Sequence, residues 1–406
     1  MQSVSAKVTD VKMSAKVEPL PVSDNQGFTN FMFARSTLMF AFGGIYTGDI
    51  FKRYRKIRRT AVGVSMSVLS AVTILFFLNC YYKTTTTANL LLQSSGYLQI
   101  FINAIVCSLT ISKDIKHLKK HLYDYEKRHC LCANVPKMKK WITFSSIPLF
   151  VAIPAKAVVD GLYLQPARIY SSWLFESPWI YIGKCVNTFT FIISCAHAYG
   201  FVTLAIPLVY ILWREFIQID EKFKQLIKSD DPSIEETIDA IMCQHEALAK
   251  ILSLASTCFK FFSFNMIFIT IIANGVYFYI AVSQCVSITE NIFIWSMMTS
   301  TMLAAAVILL MQAQLCSKAH APLQHLWMLN KNHFSDRGLQ KLNLWVSRLT
   351  GEPIAFSIYG LITINLPTLM GIFGTVVTYI FVVLQFGSPG GSTCQTPHGN
   401  MSLNIP

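Results

Sequence analysis

Polar side chains interrupt the last apolar segment of the chain, where polarity is costly. Thr378, Tyr379 and Gln385 lie in a stretch that begins at Pro367 and ends at Phe386. A polar group in a lipid-spanning helix is tolerated where it faces other protein or water. Gln385, next to the end of the segment, is therefore a candidate for lining a pore or cavity. The competing interpretation is that Gln385 and Tyr379 anchor a helix end at the membrane interface.

A second group of polar side chains lies in apolar segments further upstream. Lys156 and Asp160 are four residues apart, so they share one face of a helix and can form an ion pair. An intramembrane lysine marks a functional site by default, whereas a lysine that reaches the interface or only pairs with Asp160 is structural. By depth and polarity, the other candidate ligand-binding residues at this level are Asn187, Asn274, Tyr277 and Trp295, with Lys184 and Tyr279 nearby.

The elements that must position these side chains are membrane helices. Of 406 residues, 53% are hydrophobic and 14% are charged, whereas a soluble protein carries about 25% charged residues. A hydrocarbon core of about 30 Å needs about 20 helical residues. Seven runs meet this need, at 61–82, 89–112, 141–164, 179–213, 261–282, 291–315 and 353–386. We therefore predict an all-α polytopic membrane protein with seven transmembrane helices.

Charge placement predicts the orientation. Lysine and arginine are concentrated before the first span and in the second-to-third, fourth-to-fifth and sixth-to-seventh connections. The other connections hold only Lys83 and Arg168, and the tail after Phe386 has neither residue type. The positive-inside rule then places the N-terminus in the cytoplasm and the C-terminus outside. Asn400 begins an Asn-Met-Ser sequon, which is usable only on an outside tail. The net charge of +13 indicates contact with acidic lipid headgroups and not with nucleic acid.

The eleven cysteines do not form a disulfide framework. Cys285 and Cys394 both lie on the predicted outer side, so a disulfide between them stays an alternative. The Cys130-Leu131-Cys132 sequence beside His129 lacks a second ligand cluster at zinc-site spacing, so we predict no metal and no cofactor. Four other cysteines lie in or at the ends of apolar runs, where a free thiol behaves as a small hydrophobe: Cys107, Cys195, Cys258 and Cys316.

The basic connections carry helical patterns of their own. Phe216, Ile219 and Phe223 recur at helical spacing, so we expect the fourth span to continue as a helix beyond the bilayer. Ser233 and Glu236 form a capping box for the next helix, which runs into the fifth span. Between residues 318 and 349 the apolar residues Leu323, Leu326, Trp327, Leu339, Leu342, Trp345, Val346 and Leu349 repeat this spacing. We expect these helices to bury their apolar faces against one another or against another subunit, in a packed intracellular helical module. The alternative is that they lie on the membrane surface.

The run from Thr378 to Phe386 consists of a Thr-Tyr pair, five hydrophobic residues and a Gln-Phe pair. It resembles the signature of the insect gustatory receptor family at every fixed position, and residues 356–365 resemble that family's lead-in to its last helix. Seven spans, an inside N-terminus and basic inner loops are also similar. The resemblance implies a tetrameric, ligand-gated, weakly selective cation channel in the plasma membrane of chemosensory neurons. It implies no enzymatic activity.

The resemblance also implies roles for single residues. Gln385 and Phe386 would lie near the outer end of the pore, with Thr378 and Tyr379 deeper in the same helix. A small-molecule tastant would bind in the outer half of the membrane, in a homotetramer or in a heterotetramer with related subunits. Sweet-taste members carry Glu after the signature Tyr, where this chain has Ile380, so we expect a bitter or plant secondary compound. The alternatives are a sugar- or polyol-gated member of the same family and, from a different class, a metabotropic seven-helix receptor.

The predicted organisation has five parts. They are a cytoplasmic N-terminal segment (1–60), a six-helix transmembrane ligand-binding bundle (61–315) with cytoplasmic helical extensions (113–140 and 214–260), cytoplasmic anchor helices (316–352), a final split helix that lines the pore (353–386) and an extracellular tail (387–406). Because no acidic residue occurs from 367 to 386, a ring of carboxylates inside the pore is excluded as the source of ion selectivity.

Overall fold

The computed structural model describes residues 27–33, 114–129, 131, 139–140, 143, 180–228, 234–268, 271, 274–275, 278, 281, 288–329 and 334–386. Its elements are helices α1 (Ile180–Lys228), α2 (Ile234–Phe268), α3 (Ile288–Ala319), α4 (Pro322–Leu326) and α5 (Asp336–Thr350), strands β1 (Ser357–Ile358) and β2 (Ile362–Thr363), and helix α6 (Leu366–Phe386). Residues 28–33 and 114–129 are also helical. The first two predicted spans, nearly all of the third, and the tail 387–406 lie outside the described residues.

Helix α1 is the longest described element. Its 49 residues form one helix, in which Pro207 is an interior residue. At about 1.5 Å per residue it exceeds the roughly 45 Å of a bilayer with its headgroups. The predicted continuation of the fourth span past Trp213 is thereby confirmed as helix. Two stretches of the described chain, Phe201–Ile227 and Ile234–Ile267, are long and apolar enough to cross a membrane.

The ends of α1 and α2 that carry the charged residues pack with α4, α5 and residues 114–129. The predicted apolar face of α1 is completely buried here, with Phe216, Ile219 and Phe223 at 0% exposure. Trp345 of α5 closes the cluster, because its ring meets the rings of Phe223 and His245 at 5.6 Å each. We call Phe216, Phe223, His245, Leu342 and Trp345 the anchor core. The helices of this module therefore bury their apolar faces against one another within one chain.

Trp327 is not buried within one chain, and its burial against another subunit stays a prediction. Its side chain is 66% exposed, because α4 ends at Leu326 and only Leu326 and Pro322 of that helix are buried. Helical spacing cannot distinguish the last turn of a helix from the turn that follows it.

A buried polar network joins three helices beside the anchor core. The Tyr125 hydroxyl donates to Glu215 Oε2 at 2.9 Å and accepts from Gln244 Nε2 at 2.9 Å. Lys222 Nζ donates to Gln244 Oε1 at 3.2 Å. A buried polar group left without a partner is costly, so these bonds favour one arrangement of residues 114–129, α1 and α2. In the helix formed by residues 114–129, Glu126 Oε2 also accepts a hydrogen bond from the amide of Thr29, which holds residues 27–33 in place.

The start of α5 is tied to the start of α2. Ser335 is the N-cap of α5 and accepts from the amide of Gly338 at 3.1 Å. Its own amide and hydroxyl donate to the two carboxylate oxygens of Glu235, at 3.1 and 2.8 Å. These hydrogen bonds, the hydroxyl bond first, lower the pKa of Glu235. The predicted cap residue Ser233 lies outside the described residues, and α2 begins directly after it.

The final predicted span needs a correction, because its helix begins at Leu366 and not at residue 353. Residues 357–363 form an antiparallel hairpin that pairs Ser357 with Thr363. The turn is closed by a 3.0 Å bond from the Leu361 amide to the Ile358 carbonyl, with Tyr359 and Gly360 at positive φ. Such a turn cannot continue a helix.

Asn365 provides the physical reason for the later helix start. Its side-chain oxygen accepts from the amide of Thr368 at 2.9 Å, which is an N-cap bond. Pro367 follows in the first turn, where the lack of an amide hydrogen costs nothing.

Leucines 342 and 344 of α5 provide a matched test of the anchor core, because one is 3% and the other 71% exposed. We expect Leu342→Ala to lower the free energy of unfolding by about 2–5 kcal/mol, since it leaves a cavity. Leu344→Ala should cost less than about 0.5 kcal/mol. Thermal unfolding of the solubilised protein measures both, and equal losses would contradict the described packing.

His245 predicts a loss of stability in acid. Burial, opposed by its 2.9 Å bond to the Ala319 carbonyl, lowers the pKa of His245 from 6.5 to about 4. The unfolded chain therefore takes up a proton more readily than the folded chain. The neutral-histidine contribution, on the order of 3 kcal/mol, is complete above pH 6.5 and is lost as the pH falls towards the folded value.

The measurement is the pH dependence of unfolding for His245→Gln, with His117→Gln at an exposed position as control. His245→Gln should flatten the acid limb and lower the plateau. An acid limb that His245→Gln leaves unchanged would refute this assignment.

Candidate functional site

The two faces of α6 have different surroundings. Val376 is buried, and Leu369 and Ile372 pack against the hydrophobic core of the chain, so this face is directed inwards, where α6 contacts α3. Gly371, Gly374, Thr378 and Gln385 are exposed. Their separations of three, four and seven residues put them on one side of a helix. We call these four residues the exposed stripe.

The exposed stripe carries two polar side chains, Thr378 and Gln385, on an otherwise apolar helix. The Thr378 hydroxyl donates to the Gly374 carbonyl at 2.9 Å, and Thr375 donates to Gly371 in the same way, also at 2.9 Å. Both hydroxyls thus donate to backbone carbonyls of their own helix, which is usual for threonine among apolar neighbours. The Gln385 amide is exposed at the far end of the stripe. In the described part of α6 it is the one amide side chain along this side.

The four residues predicted to line a pore do not share one direction. Thr378 and Gln385 lie on the exposed stripe. Tyr379 is turned towards Gly275 of the predicted fifth span, because a Cβ atom on Gly275 would come within 2.3 Å of the Tyr379 ring. The side chain of Phe386 is outside the described residues. Sequence reasoning missed Gly275, and its position next to Asn274 was the only available signal.

The candidate ligand residues are described only in part. Asn274 is buried and directly precedes Gly275. Trp295 of α3 is partly exposed, and its ring meets that of Phe278 edge-on at 6.2 Å. Because Asn274 and Phe278 are four residues apart, they share one helix face. Trp295 thus contacts the segment that contains Asn274 through Phe278.

The remaining candidates have no described side chain. Asn187 and Lys184 lie in α1, where only the backbone is described. Lys156, Asp160, Tyr277, Tyr279 and Asn400 lie outside the described residues. Cys258 and Cys316 are buried free thiols, as predicted, whereas Cys130, Cys132, Cys285 and Cys394 lie outside.

The chemistry available around α6 is recognition and packing. In the residues that the structure describes, no group of three or more His, Cys, Asp and Glu side chains could hold a metal ion. A buried polar contact also joins α3 to α2, because Gln312 Nε2 donates to the Ser263 hydroxyl at 3.2 Å and both residues are buried. An amide–hydroxyl bond in an apolar interior fixes the relative position of two helices.

Comparisons with known proteins agree on the kind of molecule. A family model described as 7tm chemosensory receptor matches residues 36–388. The structure is similar to that of the insect olfactory receptor OR5 from Machilis hrabei in complex with eugenol, with a TM-score of 0.64 and 14% identity over 89% of this chain and 100% of that one. A second structure of that receptor gives a TM-score of 0.63 at the same identity and coverage. A comparison with curated proteins gave no match.

The likeness to OR5 confirms the predicted fold class. At 14% identity it shows the fold alone, an all-α polytopic membrane protein like the insect olfactory receptor. The inside position of the N-terminus stays a prediction.

The contact between Gly275 and Tyr379 can be tested by substitution. Gly275→Ala should lower the free energy of unfolding by about 1–3 kcal/mol, because the added methyl group overlaps the ring. Tyr379→Ala should remove most of this penalty when the two changes are combined. The control is Gly371→Ala, where the added carbon meets nothing within 4 Å. A double-mutant cycle on thermal unfolding measures the coupling, and strictly additive effects would contradict the contact.

Proposed function

The chain belongs to the seven-transmembrane chemosensory receptor family, and we propose that it is a gustatory receptor that works as a tastant-gated, weakly selective cation channel. The observation that carries the proposal is the exposed stripe of α6, which ends in Gln385 and lies opposite the face that packs on the same chain. The open side of such a helix can face lipid, another subunit or water, and the Gln385 amide favours another subunit or water.

A tetramer provides that partner. Four copies of α6 around one axis would place four Gln385 amides at one level, with a mainly apolar wall below them. A narrow apolar pore excludes ions by dewetting, and a ring of amides favours water once the pore widens. The absence of carboxylates from residues 367 to 386 favours weak ion selectivity, and the preference for cations is proposed from the family resemblance. Homotetramers and heterotetramers with related subunits both fit this arrangement.

The ligand site is proposed in the outer half of the membrane bundle. The eugenol bound to OR5 is a property of that receptor, and it favours a small organic molecule here as well. Ile380 in place of the sweet-taste Glu favours a bitter or plant secondary compound over a sugar or polyol. The proposed ligand-binding residues are Lys156, Asp160, Asn187, Asn274, Tyr277 and Trp295.

The proposed route from ligand to pore is short. Asn274 is buried and is followed directly by Gly275, on which the Tyr379 ring of the pore helix rests. A ligand shifts a conformational equilibrium only through its different affinity for the two states. A ligand that displaces the backbone near Asn274 would therefore change the contact between Gly275 and the Tyr379 ring, and with it the position of α6.

The proposed location is the plasma membrane of chemosensory neurons, with a cytoplasmic N-terminus and the anchor core inside the cell. Asn400 would then be glycosylated on the outside tail. In intact cells we expect antibody access to a C-terminal tag and none to an N-terminal tag, and Asn400→Gln should abolish the mass shift that a glycosidase removes. Access to the N-terminal tag would support the metabotropic alternative.

Substitution of Gln385 tests the channel directly. In oocytes under voltage clamp, bitter compounds or sugars should evoke current that G-protein block does not reduce. Gln385→Leu should lower the conductance several-fold, because it removes the hydrated ring, and Gln385→Glu should raise permeability to divalent cations. Gln314→Leu, at an exposed position of α3, is the matched control. A current that requires G proteins, or a permeability that Gln385→Glu leaves unchanged, would overturn the proposal.

A further inference from the structure

A polar cavity of about 470 Å³ lies between α2, the C-terminal end of α5 and the β-hairpin. Ligand pockets typically have volumes of about 300–1,000 Å³. The side chains that matter for its chemistry are Ser253, Thr257, Lys260, Arg348, Glu352 and Tyr359. We call it the basic cavity. It is separate from the exposed stripe and from the proposed tastant site.

Among the described residues, the charged groups of the basic cavity form no close ion pair. Lys260 Nζ lies 5.5 Å from the centre of the Tyr359 ring. The ion pairs that the structure gives among described residues, such as Lys341–Asp239 and Lys224–Asp220, include neither Lys260 nor Arg348. Glu352, the one carboxylate that lines the cavity, is absent from them as well. Two cations and one carboxylate therefore face the same space with their hydrogen-bonding capacity available.

The hydroxyl groups of the cavity add donors and acceptors. Thr257 donates to the Ser253 carbonyl at 3.1 Å, and its oxygen can still accept. Ser256, on the cavity wall, accepts from the Ser357 amide at 2.8 Å and so fixes the hairpin against α2. This wall is therefore built in advance of any ligand. Hydroxyls beside cations are the usual partners of phosphate oxygens.

We propose that the basic cavity binds a phosphorylated polyol. Lys260 and Arg348 would hold the phosphate groups, and Arg348 offers the planar fork that binds phosphate through two bonds. Glu352 disfavours a plain anion but accepts hydrogen bonds from the hydroxyls of a polyol ring. A ligand with both phosphates and hydroxyls satisfies all three charged groups. The inositol phosphate headgroup of a membrane lipid and a free inositol phosphate share this chemistry.

The position of the cavity along the chain indicates what its occupancy controls. Lys260 directly precedes the apolar run that starts at residue 261, so the cavity lies where α2 enters the predicted fifth span. Under the proposed orientation this is the inner leaflet, where anionic lipids are concentrated. The hairpin on its other side leads into α6. A ligand that bridges Lys260 and Arg348 would therefore hold the C-terminal end of α5, which leads through the hairpin into α6, against α2.

Binding is measured on the full-length purified protein, and it does not depend on ion conduction. The probe is fluorescent phosphatidylinositol bisphosphate in micelles, read by anisotropy. Lys260→Gln with Arg348→Gln should weaken binding at least about ten-fold, since both remove charged hydrogen bonds to phosphate. The control pair, Lys250→Gln with Arg337→Gln, removes the same charge from exposed positions outside the cavity, and it should change affinity less than about two-fold.

A steric variant keeps the test decisive if the double variant does not fold. Ser253→Trp fills the cavity, leaves both cations in place and should also weaken binding. Absence of binding to the wild-type protein, equal losses in the two charge pairs, or full binding by Ser253→Trp would each overturn the proposal.

Competition identifies the source of the ligand. If inositol trisphosphate displaces the probe with the same affinity as the lipid, the site is supported and the soluble headgroup alone is sufficient for binding. Binding that needs the lipid supports the site and assigns a membrane lipid. Displacement by inorganic phosphate as effective as by inositol trisphosphate would refute recognition of the polyol.

Discussion

The burial of the apolar face of α1 beyond Trp213 is the constraint on which the rest of the described structure depends. Because α1 is longer than a bilayer is thick, its large side chains beyond Trp213 need contact with protein to be shielded from water. Phe216, Ile219 and Phe223 are completely buried, and each burial contributes about 1.5–3 kcal/mol. α2, α4 and α5 supply the cover. The position of α5 then determines where the hairpin begins, and the hairpin determines where α6 begins.

Apolar packing alone does not fix how these helices slide along one another, because it is not directional. The directional contacts are polar and join parts of the chain about 100 residues apart. Glu235 binds both donors of Ser335, Lys341 pairs with Asp239, and Ser256 exchanges bonds with the backbone of Ser357. These contacts set the register of α5 and of the hairpin against α2. The anchor core supplies the stability, and the polar contacts select one arrangement.

The sequence predicts the parts of the fold that follow from local periodicity. The long helix α1 and the burial of Phe216 and Trp345 follow from apolar spacing. Apolar composition does not predict the hairpin before α6, because residues 353–386 form one apolar run, although Gly360 and Asn365 favour a turn and a helix cap. The direction of Tyr379 could not be predicted, since it depends on a glycine in another helix. The basic cavity likewise needs three elements to be placed first.

Helix α1 connects the predicted fourth span to the anchor core without a break. Pro207 removes one backbone hydrogen bond from its interior, which is where a helix bends most easily. The arm from Pro207 to the end of the helix is about 30 Å long, so a bend of about 10° displaces the tip by roughly 5 Å, about one helical turn. Because Phe216, Ile219 and Phe223 are carried on that arm, a bend at Pro207 would displace them relative to the predicted fourth span. The position of Pro207 thus sets the length of the arm on which these buried side chains lie.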